Sequence, residues 1–327
     1  MRIYYYNSLI TIQKYKKKLM FSIIFPGQGS QSPGMCKDFY LKYDLIKQIF
    51  KEADDILNFK ISTLILEGPK EKLNLTENTQ PAIFLVGYSI FNLLKKEHNM
   101  DFSNAKYFAG HSLGEYTALC AAGYLNFSET LKILKLRGQA MQNSIPEGQG
   151  GMIAVLGSSI EIIENLLNEN KNKYKCFIAN DNSDSQIVLS GKINDLESFA
   201  TDLKKNSIKS VMLPVSAPFH CELMSHATKV MENEIKNLNF QVSNNTLVSN
   251  VTAKKMTEIS EIKELLVKQI ESRVRWRESV RYMIKEGTDE FIEIGPGKVL
   301  SGLIKRIDKD LKVSAINNEE DISNIKK

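Results

Sequence analysis

The 327-residue chain has only four cysteines, Cys36, Cys120, Cys176 and Cys221, and no two of them form a CxxC pair. That spacing offers no zinc pattern and argues against a disulfide framework in a chain this long, so reduced thiols are expected. No apolar run reaches the roughly 18–20 residues that a membrane-spanning helix needs. Excess charge is scarce as well. The formal net charge is +5, but residues 1–19 hold five basic residues and no acid, and the remainder balances at 38 of each sign. A neutral body gives no electrostatic reason to expect a nucleic-acid partner. Histidine is as rare as cysteine, with four residues, so proton-transfer chemistry has few candidates.

What is present is an ordinary globular composition, 43% hydrophobic and 25% charged, long enough for a sizeable core and more than one lobe. The basic, acid-free leader "MRIYYYNSLITIQKYKKKL" is set aside as an extension ahead of a protein that starts at Met20. A transit peptide is the alternative, and would move the expected location from the cytoplasm to a mitochondrion or plastid. "FSIIFPGQGSQ" (21–31) reads as a buried strand running into a Gly-rich loop. Thr79 is a plausible N-cap for a helix running to about Lys95, with Pro81 in its first turn. "AKYFAG" (105–110) reads as a strand and "GEYTALCAAG" as a helix closed by Gly123, with a further helix from about Ser128 to Gln142. Strands alternating with helices predict an α/β domain with a mostly parallel sheet.

Residues 150–216 change rhythm and read βαββαβ, the ferredoxin-like order. The expected layout is therefore a large α/β hydrolase-like domain over 20–146 and 217–320, with a small lobe at 147–216 inserted in it. Later elements are a helix around Ser225–Leu238, a strand at 245–250, an amphipathic helix across Glu261–Ile270, the strand "EFIEIG" (290–295) and a last helix. The polar C-terminal "NNEEDISNIKK" is expected to fray.

Ser112 lies in "FAGHSLGEY", between a predicted strand and a predicted helix. Gly110 and Gly114 would let the chain turn sharply and project its hydroxyl, the arrangement of a nucleophile elbow; a small residue in a tight turn is the plain alternative. Of the possible bases, His98 sits in the polar "KKEHNM" and His226 in a helix pattern. His111 is adjacent to Ser112 and is expected to point away from it. His220 ends the Pro-bracketed "PVSAPFH" and is the best candidate. Arg137, in "LKLRGQAM", reads locally as an amphipathic arginine reaching outward, although its guanidinium fork would also suit a carboxylate or phosphate. "PGQGSQ" could cradle an anion, but lacks a P-loop ending, and "IGPGK" could be a plain turn into a helix.

Taken together and in order, "FPGQGSQ", "TENTQPAIF", "GHSLGEY", the arginine of "LKLRGQAM", the βαββαβ stretch, "PVSAPFH" and "EIGPGKVL" resemble the malonyl-CoA:acyl carrier protein transacylase family over about residues 20–318. The resemblance implies that Ser112 is the nucleophile, His220 its base, and Arg137 the partner of the malonyl carboxylate. It further implies an oxyanion hole from Gln28 and the Leu113 N–H, and orientation of His220 by the Gln269 carbonyl. It implies ping-pong transfer of malonyl from a coenzyme A thioester to acyl carrier protein by a monomer, with no metal, no redox cofactor, no nucleic acid and no membrane. A serine hydrolase would normally place an acid between Ser and His in the chain. Here Asp181, Asp184, Asp195 and Asp202 occupy that interval, all inside the small lobe, which favours transfer over hydrolysis. The rival readings are a serine esterase or thioesterase, a carrier-binding module without activity, and loading of a polyketide carrier. Lys268, Arg273, Arg275, Arg277 and Arg281 form a basic cluster that could meet an acidic carrier, but read more readily as a solvated face.

Overall fold

β1 (Phe21–Phe25) has no polar face along its length, as suits a strand covered on both sides of a parallel sheet. It occupies the middle of that sheet in a computed structural model that describes residues 20–325 except Ser216. The expectations for residues 1–19 lie outside these residues. β1 pairs in parallel with β2 (Phe108–Gly110) on one side, Ile23 opposite Phe108, and with β9 (Glu290–Ile294) on the other, Ile23 opposite Ile292. The full order is β10-β9-β1-β2-β7-β8, completed by β10 (Lys312–Ile316), β7 (Leu247–Val248) and β8 (Lys255–Met256). Only the β7–β8 pair is antiparallel.

Helices cover this sheet. Before the first of the predicted ones come α1 (Lys37–Lys42), α2 (Asp44–Leu57), α3 (Ile61–Glu67) and α4 (Lys70–Leu73), which the sequence reading did not resolve. In α2, Ile46, Ile49, Phe50 and Ala53 form a buried stripe at helical spacing. α5 runs Thr76–Lys96 and starts three residues before the expected cap. Thr79 is not its cap: the Thr79 hydroxyl donates to the Leu73 carbonyl at 2.6 Å. Pro81 falls in the second turn, where it removes only the N–H that would have reached the Glu77 carbonyl. α6 (Leu113–Ala121) and α7 (Phe127–Gln142) follow, α7 capped by the Asn126 side chain accepting from the Glu129 N–H.

The second sheet has the order β4-β5-β3-β6 and is antiparallel throughout. Its chain order is β3 (Gly150–Leu156), α8 (Ile160–Glu169), β4 (Cys176–Ser183), β5 (Gln186–Lys192), α9 (Ile193–Lys205) and β6 (Lys209–Met212). Ile153, Val155, Ile187 and Leu189 meet Ile163, Leu196, Phe199 and Leu203 in a separate apolar core. The chain then passes through α10 (Ser225–Asn237), α11 (Ile259–Gln269), α12 (Trp276–Lys285) and α13 (Val299–Ile307). Among the described residues no helix is long and apolar enough to cross a membrane.

α12 joins the two sheets and was hidden in the sequence by its charge. Val274, just before it, receives the Asp181 N–H and donates to the Ala179 carbonyl, both in β4. Arg277 binds the buried Asp181 carboxylate through Nε at 2.9 Å and Nη2 at 3.1 Å, the two-pronged geometry that a guanidinium favours. The rest of the basic cluster is also paired: Arg273 with Glu164, Arg275 with Glu278, Arg281 with Asp184 and Lys268 with Glu264. These cations face acids of this chain, three of them across the joint, rather than forming one open basic patch. The C-terminal stretch does not fray up to residue 325. Asn318 and Asp321 form a reciprocal cap on a short 3-10 turn, and Ile322 is buried against the core.

Candidate active site

β2 ends at Gly110 and α6 begins at Leu113, so Ser112 sits at the corner with φ 54° and ψ −110°. The glycines are there because nothing else fits. A Cβ on Gly110 would lie 2.0 Å from the Gly114 carbonyl, and one on Gly114 would lie 2.3 Å from the Phe25 carbonyl of β1. Asn250, after β7, closes the corner: its Oδ1 accepts the Ser112 N–H at 2.7 Å and its Nδ2 donates to the Gly110 carbonyl at 2.7 Å.

Ser112 Oγ lies 2.7 Å from His220 Nε2. His220 Nδ1 lies 2.9 Å from the main-chain carbonyl of Gln269, the last residue of α11. A carbonyl can only accept, so Nδ1 carries the proton and Nε2 presents its lone pair to the serine hydroxyl. His220 is 4% exposed, and burial followed by the charge of Arg137 pushes its pKa down to about 3. The imidazole is therefore neutral in the resting protein. None of Asp181, Asp184, Asp195 or Asp202 reaches it: the first two bind Arg277, Asp202 binds Lys173 and Lys205, and Asp195 accepts from the Lys175 N–H.

Arg137 overturns its local reading. Instead of reaching outward it is 1% exposed, turned into the protein beneath Ser112, with its guanidinium 5.4 Å from the Tyr116 ring centroid. Nη1 donates to Gln80 Oε1 at 2.8 Å; Nη2 donates to Gln269 Oε1 at 2.8 Å and to Ser112 Oγ at 3.2 Å. Every one of these acceptors is neutral, and Nε has no partner among the described residues. A buried cation of this kind is costly unless an anion joins it.

A pocket of about 400 Å³ opens over these groups, with Gly27, Gln28, Gly29 and Gln31 of "PGQGSQ" on one rim. Gln28 also reaches Thr76 Oγ1 at 3.3 Å. Leu113 heads α6, where its N–H has no acceptor within the helix. "IGPGK" is a turn into α13, which lends Val299, Leu300 and Leu303 to the pocket wall. Met152, Val188 and Leu213 of the small unit face them.

His111 lines the pocket but turns from the serine, hydrogen-bonded to Asn182 Oδ1 at 2.8 Å and packed near Trp276. His98 pairs with Tyr43 and His226 is exposed, so neither belongs to the site.

An acyl transferase domain family matches residues 22–323. The chain is 40% identical to the malonyl CoA-acyl carrier protein transacylase of Bacillus subtilis (strain 168) over 306 residues, covering 92% of this chain and 94% of that one. This chain belongs to the malonyl CoA-acyl carrier protein transacylase family. A solved acyl-carrier-protein-S-malonyltransferase from Bartonella henselae superposes with a TM-score of 0.91 at 37% identity, covering 94% of this chain and 98% of that chain. A malonyl-transacylase solved in complex with a type II PKS acyl-carrier protein superposes at 0.89 with 34% identity, covering 93% and 98%.

In this transacylase family member three site residues escaped the sequence reading as such. Gln80 was visible only as part of "TENTQPAIF", Asn250 only as the end of a strand, and Glu115 only as a letter after the elbow. Glu115 Oε2 accepts from Gln269 Nε2 at 2.6 Å and from the Asn250 N–H at 3.2 Å. A fully buried polar side chain can be inferred from a partner, and these partners lie more than 50 residues away in sequence.

The depressed His220 pKa also makes a statement about stability. The unfolded histidine takes a proton below about pH 6.5 and the folded one does not, so stability is lost as pH falls from 6.5 and is unaffected above it. At pH 5 the loss is about 2 kcal/mol. Glu115, with its pKa raised, works in the opposite direction between pH 7 and 4.5. The comparison must therefore be differential. His220→Gln is expected to lose less stability than wild type between pH 7 and pH 5 in urea titrations; an equal loss in both proteins would refute the assignment.

Proposed function

We propose that this enzyme transfers a malonyl group from coenzyme A to the phosphopantetheine thiol of an acyl carrier protein through a malonyl-Ser112 intermediate. The observation that carries this reading is the placement of Ser112 Oγ between His220 Nε2 and Arg137 Nη2. A hydroxyl with a neutral base on one side and a buried, anion-lacking guanidinium on the other is built for an acyl group that ends in a carboxylate.

In the first half-reaction His220 Nε2 takes the hydroxyl proton as Oγ attacks the thioester carbonyl. The oxyanion forms toward the Leu113 N–H and Gln28, donors worth ~3–4 kcal/mol each when aimed at that charge. The tetrahedral adduct collapses, the C–S bond breaks, and the proton on His220 passes to the coenzyme A sulfur. Arg137 holds the distal carboxylate throughout. In the second half-reaction the carrier thiol gives its proton to His220, attacks the serine ester, and releases Ser112 with the proton returned. Both halves need only proton transfer and substitution, so no metal or redox cofactor is required.

We also read the βαββαβ unit as a ferredoxin-like lobe inserted at 147–216 into a hydrolase-like domain spanning 20–146 and 217–320; the sheet order β4-β5-β3-β6 supports it. A monomer acting in the cytoplasm accords with this assignment.

Intact-mass measurement tests the function. Incubation with malonyl-CoA should add one malonyl group to the protein, and added holo-carrier should remove it and gain the same mass. Release of free malonate with no carrier adduct would identify an esterase instead. The structural neighbour with a type II PKS carrier makes that carrier the second acceptor to try.

A further inference from the structure

The buried charges around Arg137 do not balance through direct contact. The acid nearest to it in the hydrogen-bond network is Glu115, one side chain removed, and Gln269 lies between them with its amide oxygen on Arg137 and its amide nitrogen on Glu115. Glu115 is 1% exposed. Its Oε2 holds both of its hydrogen bonds, and its Oε1 has no partner among the described residues. The carboxyl can therefore gain a proton on Oε1 without giving up either bond.

We propose that Glu115 is a specificity-determining residue: it serves as the resting counter-charge of Arg137, and it takes up a proton when the malonyl carboxylate reaches that guanidinium. Two carboxylates within reach of one buried cation cannot both stay ionised cheaply, and the incoming one is bound directly. The other titratable groups facing this pair are Tyr116 on α6 and His220 on the loop after β6, with His111 beside His220. Burial pushes Tyr116 up to about 12 and His220 down to about 3, and it also lowers His111, so none of them gains a proton readily near neutrality. Glu115, raised to about 7 by burial against the pull of Gln269, Asn250 and Arg137, is the group poised to do so.

The inference rests on Arg137 as the malonyl-carboxylate site and concerns what balances it. Serine acylation by a thioester, with release of a neutral thiol, moves no net proton. Single-turnover loading near pH 7.5 in weak buffer with an indicator dye should therefore show proton uptake with malonyl-CoA and none with acetyl-CoA. The ratio of malonyl to acetyl kcat/KM should fall as pH rises from 6 to 8.5, by up to about tenfold per pH unit once Glu115 is ionised. In Glu115→Gln, which cannot ionise, the ratio should be flat across that range, with circular dichroism and thermal melting reporting that the protein is folded. Equal proton uptake with the two substrates, or a Glu115→Gln ratio that keeps the wild-type slope, would overturn the proposal. Should the variant not fold, the wild-type uptake measurement decides alone. Arg137→Ala separates the two ideas. If it loses malonyl preference while the wild-type ratio is flat with pH, the Arg137 assignment stands and the role of Glu115 fails; if it keeps the preference, the assignment itself fails.

Discussion

Ser112→Ala is expected to form no malonyl adduct and to lower malonyl transfer by roughly 10⁴–10⁶-fold, the range seen when one member of a nucleophile–base unit is removed. The fold should survive. Alanine keeps the Cβ that Ser112 already carries at φ 54°, and the elbow is held by the Asn250 amide and by two glycines, none of which involves the hydroxyl. His220→Ala should lose nearly as much. In the proposed mechanism its imidazole accepts the serine proton and later donates it to the leaving sulfur. Because the two act together, the double variant should be little worse than either single one. Intact mass, transfer rate and thermal melting measured side by side decide the matter. A malonyl adduct that persists on Ser112→Ala would move the nucleophile elsewhere.

Arg137→Ala is expected to lower malonyl kcat/KM by on the order of 10²–10⁴ while acetyl transfer stays equal or improves. Charge-assisted hydrogen bonds contribute about 1.5–3 kcal/mol each, and a guanidinium fork makes two to a carboxylate. An acetyl group offers no such acceptor, so wild type binds it with the guanidinium unmatched, a cost that the variant removes. Arg137→Lys keeps the charge but not the fork, and should fall between. Malonyl and acetyl rates on one enzyme preparation provide the check, and an unchanged ratio would remove Arg137 from substrate recognition.

The sequence carried the architecture well where a strand or helix had its own signal. The mainly apolar β1, the Gly–Ser–Gly corner and the βαββαβ rhythm were all legible. α12 was not, because its arginines read as a solvated face when they are spent on Asp181 and Asp184 in the other unit. Arg137 shows the same limit more sharply. Flanking residues place it on an amphipathic helix, and only the convergence of Gln80, Gln269 and Ser112 from other elements turns it inward. The transfer of Gln269 from family resemblance placed its carbonyl at His220, yet nothing local disclosed that its side chain also ties Arg137 to Glu115. β10 and the 3-10 turn after it were missed for want of a strong apolar pattern; β9 and the Asp321 cap hold them.

The position of β1 governs when this enzyme comes into being during synthesis. β1 is made before its neighbours, and β2 can join one of its edges early, but the other edge waits for β9, with Phe21 opposite Glu290. Closing such distant pairs is slow and leaves apolar strand edges open meanwhile. His220 likewise has no carbonyl to fix its tautomer until Gln269 has been made. A growing chain thus displays the serine long before it has a catalyst, and transacylase activity should arise only after Gln269 and β9 have been made and have docked.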